Sequence, residues 1–384
     1  MKILALGNCP LDRFLGSGKT RLMWSEGLKS LGHEVEVWEP NRFEWRPGSP
    51  RARKLRYSWG SWQALKKMDL TSFDLIEFYG DEFWLPMRQL SLRAFGQRPL
   101  LVAHTDGLEL LASERGREFE LTKPRAAYEK IRSWIHRQTY GRVSPLAFSK
   151  ADAFVTGCKL DRDYVLEKKY YAPEHAVVVP PCVDEEYLAI PEPTRRDPVI
   201  AFVGTWVGRK GLHQLVPVMT NILRRFSEAR FEVFGTNGAV DAVHGGFPEG
   251  LRNRITVHRR ISNQEIAAHL SRTRIFFFPS MYEGFGMALA ESMACGCAAV
   301  TTPTGFGAEL KNGDEAILCD FEDGESMESA LAKLIQDENF AHEIARKGWK
   351  RVQQLHWDIS VGKLEQTYRR WVDERRGWST GELG

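Results

Sequence analysis

The stretch PSMYEGFGMALAESMACGCAAVTTPTGFGAEL (279–310) sets two carboxylates, Glu283 and Glu291, on either side of a glycine-punctuated turn. A carboxylate accepts two or more hydrogen bonds in a fixed geometry, which suits sugar hydroxyls. The apolar run before Glu283 reads as a strand and the run from Met287 as a helix. The N–H groups of Gly284, Phe285, Gly286 and Met287 then form a helix N-terminus, where a pyrophosphate is favoured. The spacing of Met287, Leu289 and Met293 puts Glu291 on the buried side of that helix. The simpler alternatives are a solvated Glu291 and a Glu283 that only complements the helix dipole. Upstream, Arg209 and Lys210 stand between glycines and suit a leaving diphosphate, whose charge grows in the transition state. Plain surface charge is the alternative. LGSGKT (15–20) looks like the end of an ATPase phosphate loop, but the first glycine of that signature falls on Arg13. What remains is a strand-to-helix turn with Gly16 and Gly18, a weak anion site. Lys19 and Thr20 then read as exposed residues of the first helical turn.

These residues need elements to position them. From Lys2 to Glu39 the pattern is apolar run, glycine turn, helix, apolar run, a strand-helix-strand unit. Further apolar runs stand at FDLIEFY, PLLVAH, DAFVTG and AVVVP. After PEPTRRDP (191–198) a second series begins: PVIAFVG, ARFEVFG, RITVHR, RIFFFPS, CAAVTT and AILCD. The predicted fold is α/β, with two Rossmann-like doubly wound domains facing a central cleft. The expected boundaries are 1–190 for the first domain, a linker at 191–198, 199–355 for the second, and a terminal helix from 356 returning to the first. The 384 residues suffice for two cores. With 43% hydrophobic residues, 27% charged and a net charge of +3, the composition excludes a disordered or membrane-spanning chain. The first strand is too short and lacks the cleavage site for a secretory signal, and the six scattered cysteines fit a reducing compartment, so a cytoplasmic location is expected. Cys295 and Cys297 lack the two-residue gap of zinc and redox pairs.

Several segments, in order along the chain, resemble one family. The Glu283/Glu291 spacing with its following glycine turn at Glu309, FVGTWVGRKGLHQLV, DAFVTGCKLDRDYVLEKK, VVVPPCVDEEYL and LLVAHTDGLE together look like the retaining glycosyltransferases of family four. That family has the GT-B fold shared with glycogen synthase. The resemblance implies an enzyme, a metal-independent, retaining hexosyltransferase moving a sugar from a nucleotide-diphosphate sugar to a polysaccharide, glycolipid or small-molecule acceptor. Under it, Lys210 and Arg209 hold the diphosphate, Glu291 the ribose, and Glu283 to Met287 the sugar hydroxyls and phosphate. His104 approaches the transferred sugar, and Gly16 and Gly18 close over the diphosphate or acceptor. Arg260 and Ile261 read the base through backbone groups; the residues leave the base open, with UDP as the working expectation. No cofactor and no metal are implied. Where relatives carry an arginine after the strand glycine, this chain has Thr205 or Trp206, and Arg209 is the available substitute.

Asp161-Arg162-Asp163 spells a D-x-D but falls in a predicted helix, not after a strand. No second carboxylate opposes Glu283 in the manner of a retaining glycosidase pair. Between Arg42 and Lys67 stand Arg42, Arg46, Arg51, Arg53, Lys54, Arg56, Lys66 and Lys67 against Glu44 alone, with Trp45, Trp59 and Trp62 interleaved. Such a loop suits an anionic acceptor or lipid headgroups at the inner face of the membrane, or is simply solvated. The segment 125–142 is a second amphipathic candidate. No nucleic-acid module is recognisable. The other readings are a sugar-nucleotide epimerase or phosphorylase on the same fold, and a non-catalytic nucleotide-sugar-binding relative.

Overall fold

Each apolar run named above becomes a strand, and the strands sort into two parallel sheets. The computed structural model describes residues 1–13, 16–46, 52–121, 141, 143–236, 238–259 and 261–381. The chain divides into one unit of Met1–Pro181 with Trp357–Gly384 and another of Cys182–His356.

In the first unit, β1 (Lys2–Gly7), β2 (Glu34–Trp38), β3 (Leu75–Tyr79), β4 (Leu100–Thr105), β5 (Ala153–Thr156) and β6 (Ala176–Val178) lie in the order β2-β1-β3-β4-β5-β6. The second unit holds β7 (Val199–Val203), β8 (Arg230–Phe234), β9 (Ile255–Val257), β10 (Ile275–Phe278), β11 (Ala298–Thr301) and β12 (Ile317–Leu318), in the order β12-β11-β10-β7-β8-β9. Parallel strands covered by helices on both faces read as unbroken apolar runs, and Ile275 to Phe278 are accordingly all buried. Strand order reverses between β1 and β3 in one sheet and between β7 and β10 in the other. Ligands of open α/β sheets bind at such reversals, outside the carboxyl ends of the strands.

The helix Trp357–Gly381 presents Val361, Leu364, Tyr368, Trp371 and Val372 to the first unit, at the three- and four-residue spacing of one helical face. They close over Ile3, Ala5, Trp24, Leu28 and Val102. The expected linker at 191–198 is corrected. Residues 182–198 are part of the second unit, where the Arg196 guanidinium donates to the carbonyls of Leu270, Thr273, Cys295 and Gly296. Five N–H donors in a rigid fork let one arginine hold loops that diverge in sequence.

Among the described residues no helix is long and apolar enough to cross a membrane. The six cysteines carry free thiols. Burial pushes Cys297 up to about 12, so it stays a packed thiol, not a nucleophile. Asp161 lies in the helix Lys159–Glu167, fully buried, and accepts from the Leu108 N–H and the Thr156 hydroxyl. Asp161 is thus a core residue, whereas Asp163 is exposed, 3.7 Å from the Arg162 guanidinium. The segment 125–142 falls almost wholly outside the described residues.

Candidate functional site

The loops after β7 and β10 flank the reversal of the second sheet, and their charged residues meet there. Lys210 Nζ donates to Glu283 Oε1 at 2.7 Å, and the same ammonium lies 4.9 Å from the centre of the Phe278 ring. Arg209 donates to the Tyr282 carbonyl at 2.9 Å, with its guanidinium 3.9 Å from Glu283 Oε2. The two loops are also tied through the backbone, where the Met281 N–H donates to the Arg209 carbonyl at 3.0 Å. Gly211 makes this approach possible: its φ is +77°, and a Cβ there would sit 1.8 Å from the Pro279 carbonyl oxygen.

The helix Met287–Ala294 starts from Gly286 at φ +93°, and no side chain caps it. Its first turn is therefore open to an anion. A third loop, after β11, completes the group. The Thr304 hydroxyl accepts the Glu283 N–H at 3.0 Å, Phe306 stacks on Phe285, and the Phe306 N–H donates to the Phe285 carbonyl at 2.6 Å. Sequence reasoning missed Thr304 and Gly305. The second glycine turn was noticed, but its docking onto the first depends on the order β11-β10, which no local signal carries.

Thr205 is exposed at the end of β7, on the same loop as Lys210. Glu291 requires a correction. On the helix Met287–Ala294 the buried side is Leu289, Ala290, Ser292, Met293 and Ala294, whereas Glu291 shares a half-exposed stripe with Met287 and Ala288. A half-exposed carboxylate remains able to accept hydrogen bonds from a ligand. Ile261 is half-buried beyond β9. Arg260 lies outside the described residues.

In the first unit the structure does not support the role expected of His104. It sits within β4, 1% exposed, stacked on Tyr79, with Nε2 2.5 Å from the Tyr368 hydroxyl. That hydroxyl donates to Glu77 Oε1. Burial pulls His104 down to about 3 and pushes Glu77 up to about 7, the latter against hydrogen bonds from Tyr368 and Tyr79 that favour its charge. The pair is thus a neutral core network under the C-terminal helix. The reading of Lys19 and Thr20 as exposed also fails, because both are buried in the first turn of the helix Gly16–Ser30. A Cβ on Gly18 would lie 2.5 Å from the Pro10 carbonyl oxygen, so this glycine is needed for the loop after β1 to fold over the helix start, whereas Gly16 faces open space. Under that loop lies Arg21, fully buried, which donates to the Cys9 carbonyl and approaches the Tyr79 ring. A Cβ on Gly7 would overlap its guanidinium.

The basic stretch changes character as well. Residues Arg53–Leu65 form a helix, not a loop. Arg53 pairs with Glu82 at 3.0 Å, Lys54 with Asp81 at 2.7 Å and Arg56 with Glu44 at 2.9 Å. The exposed cations of its described part are Arg42, Arg46, Arg53, Lys66 and Lys67.

The chain resembles known proteins in sequence and in fold. Residues 183–351, which span the whole Lys210–Glu283 site, match the family Glycosyl transferases group 1. An uncharacterized glycosyltransferase of Bacillus subtilis, YqgM, is 27% identical over 256 residues, 65% of this chain and 68% of that protein. For the next two curated relatives the match spans 48% of their length. Sucrose-phosphate synthase from Thermosynechococcus elongatus superposes with a TM-score of 0.76 at 16% identity, covering 97% of this chain and 99% of that one. The Anabaena protein HepE, solved in complex with UDP, superposes at 0.67 and 16% identity over 96% of this chain and all of HepE. The fold is GT-B, and residues 183–351 in its second Rossmann-like unit are similar to group 1 glycosyltransferase domains.

Proposed function

We propose that this protein transfers a sugar from a nucleotide-diphosphate sugar to a carbohydrate, lipid-linked or small-molecule acceptor, with retention at the anomeric carbon and without a catalytic metal. The observation behind this reading is the Lys210–Glu283 pair beside the uncapped helix Met287–Ala294, at the strand reversal of the second sheet. Glu283 engages one of the three N–H donors of the ammonium, so Lys210 is aimed while its other donors can serve a diphosphate. The helix N-terminus adds backbone donors for the same charge, and both act where charge grows as the diphosphate departs. In this reading Glu283 and Gly284 to Met287 face the donor sugar and phosphate, Thr205 and Arg209 flank the diphosphate, Glu291 takes the ribose, and Ile261 stands at the base. UDP is the nucleotide proposed first, since HepE was solved with UDP and with UDP-glucose.

The test is thermal stabilisation of the purified protein across nucleoside diphosphates, nucleotide sugars and ATP, with and without EDTA, followed by assay of donor turnover with the stabilising nucleotide sugar. A shift from one nucleoside diphosphate that survives EDTA, with donor consumption, supports the proposal. A shift without any transfer points to a non-catalytic binding relative, and a shift from ATP alone overturns the reading.

A further inference from the structure

At the edge of the second sheet, at the root of the loop that carries Ile261, three side chains converge without bonding one another well. Glu232 stands on β8 opposite Thr256 of β9, and His258 follows two residues later, so Glu232 and His258 share one face of the sheet diagonally. His269 reaches the same face from the helix Asn263–Leu270, whose start is pinned by a reciprocal capping box between Ser262 and Glu265. Glu232 Oε2 is 3.3 Å from His258 Nε2 and 3.2 Å from His269 Nδ1. Yet Glu232 Oε2 and His258 Nε2 are both buried and have no hydrogen-bond partner among the described residues. The atoms are close enough to bond but are not directed at each other.

Convergence on a common point explains this arrangement. With metal–ligand bonds of about 2.0–2.2 Å, the edge of a tetrahedron between two ligand atoms is about 3.3–3.6 Å. The two observed separations match that edge, and all three candidate donor atoms lie within 4.8 Å of one another. The imidazoles are held in place: His258 stacks on Phe234 at 4.3 Å with an interplanar angle of 6°, and the His258 N–H donates to the Val233 carbonyl at 2.9 Å. We propose that Glu232, His258 and His269 form a binding site for a divalent transition-metal ion, with Zn²⁺ as the best match. Two imidazoles and a carboxylate favour such an ion over Mg²⁺ or Ca²⁺, which prefer oxygen donors. Three protein ligands leave the fourth position to water. The ion would fasten β8, the end of β9 and the following helix together, a clamp at the root of the loop that carries Ile261.

Co²⁺, a visible reporter of nitrogen and oxygen coordination, provides the test. Chelator-treated protein is titrated with Co²⁺ and then with Zn²⁺, alongside His269→Gln, His258→Gln and the double variant. One equivalent of Co²⁺ with visible ligand-field bands, displaced by Zn²⁺ and not by Mg²⁺, is expected. Each single substitution should weaken binding by at least about tenfold, since losing a ligand costs no less than losing its outer-shell partner. His269 is half-exposed, so His269→Gln keeps the fold and decides the matter even if His258→Gln does not. Substoichiometric binding by the parent protein, or unchanged affinity in His269→Gln, overturns the proposal.

Discussion

Lys210 and Glu283 make a mostly buried ion pair, and that changes what a substitution there reports. Their side chains are 12% and 9% exposed, so removing the lysine alone leaves a carboxylate largely out of water. Lys210→Ala should therefore lose stability, by about 1–3 kcal/mol, as well as turnover. The double variant Lys210→Met with Glu283→Gln removes the stranded charge. Urea denaturation should find it close to parent stability, while donor turnover stays at least about a hundredfold down, in the range seen when a transition-state donor is lost. Recovery of both would make the pair structural. The Glu77–His104 pair supplies a pH prediction. A carboxyl raised to about 7 stabilises the fold at low pH and withdraws that stability as pH rises from its unfolded value near 4.5 to 7. A histidine lowered to about 3 does the opposite, giving stability that is complete above 6.5 and lost as pH falls from there to 3. Between pH 4.5 and 6.5 the two slopes cancel. Asp81 and Asp106, both pushed up to about 6 by desolvation, give the parent a falling profile below pH 6, so the test is the difference from the parent. The slope with pH should become more positive in Glu77→Gln and more negative in His104→Gln, each by at most about 1.4 kcal/mol per pH unit.

At the scale of elements, the strands were legible and the loop contacts were not. Twelve runs predicted the twelve strands of the described residues. Central parallel strands such as β3, β4 and β10 are largely apolar because both faces are buried, while the edge strand β2 carries its signal as an alternation of Glu and Val. Helix faces were less secure: the Met287, Leu289, Met293 pattern assigned Glu291 to the wrong side, since three apolar residues on a short helix of mostly small residues define its buried face poorly. The loops that build the site have a shared requirement, room for backbone to touch backbone. Gly211→Ala confronts this directly, combining a left-handed φ of +77° with a carbonyl oxygen 1.8 Å from the new methyl. It should cost at least about 2 kcal/mol in thermal or urea unfolding, and it should displace the Lys210 loop enough to lower donor affinity. Gly208→Ala, where a Cβ meets open space, is the matched control and should change little.

For the molecule as a whole, the proposed donor groups all belong to Cys182–His356, while the glycine turn at Gly16 and Gly18 belongs to the other unit. Hydrogen exchange with a saturating nucleoside diphosphate should therefore slow amides in the loops 204–211 and 280–288 first and most; protection confined to residues 7–20 would move the nucleotide to the first unit and sink the assignment. The amino-acid sequence by itself determined the two Rossmann-like halves, the existence of a terminal helix, and the glycine-flanked positions of Lys210 and Glu283. Each rests on periodicity, turn chemistry or short-range spacing, which are local properties of the chain. Only the tertiary structure decided that His104 is a core residue, that Lys19 is buried, that Arg53, Lys54 and Arg56 are paired with acids, and that Glu232, His258 and His269 meet. Those outcomes depend on which strands are neighbours and which side chains a distant helix covers, as Tyr368 covers His104. Burial and pairing are set by contacts between residues far apart in the chain, and no spacing within it records them.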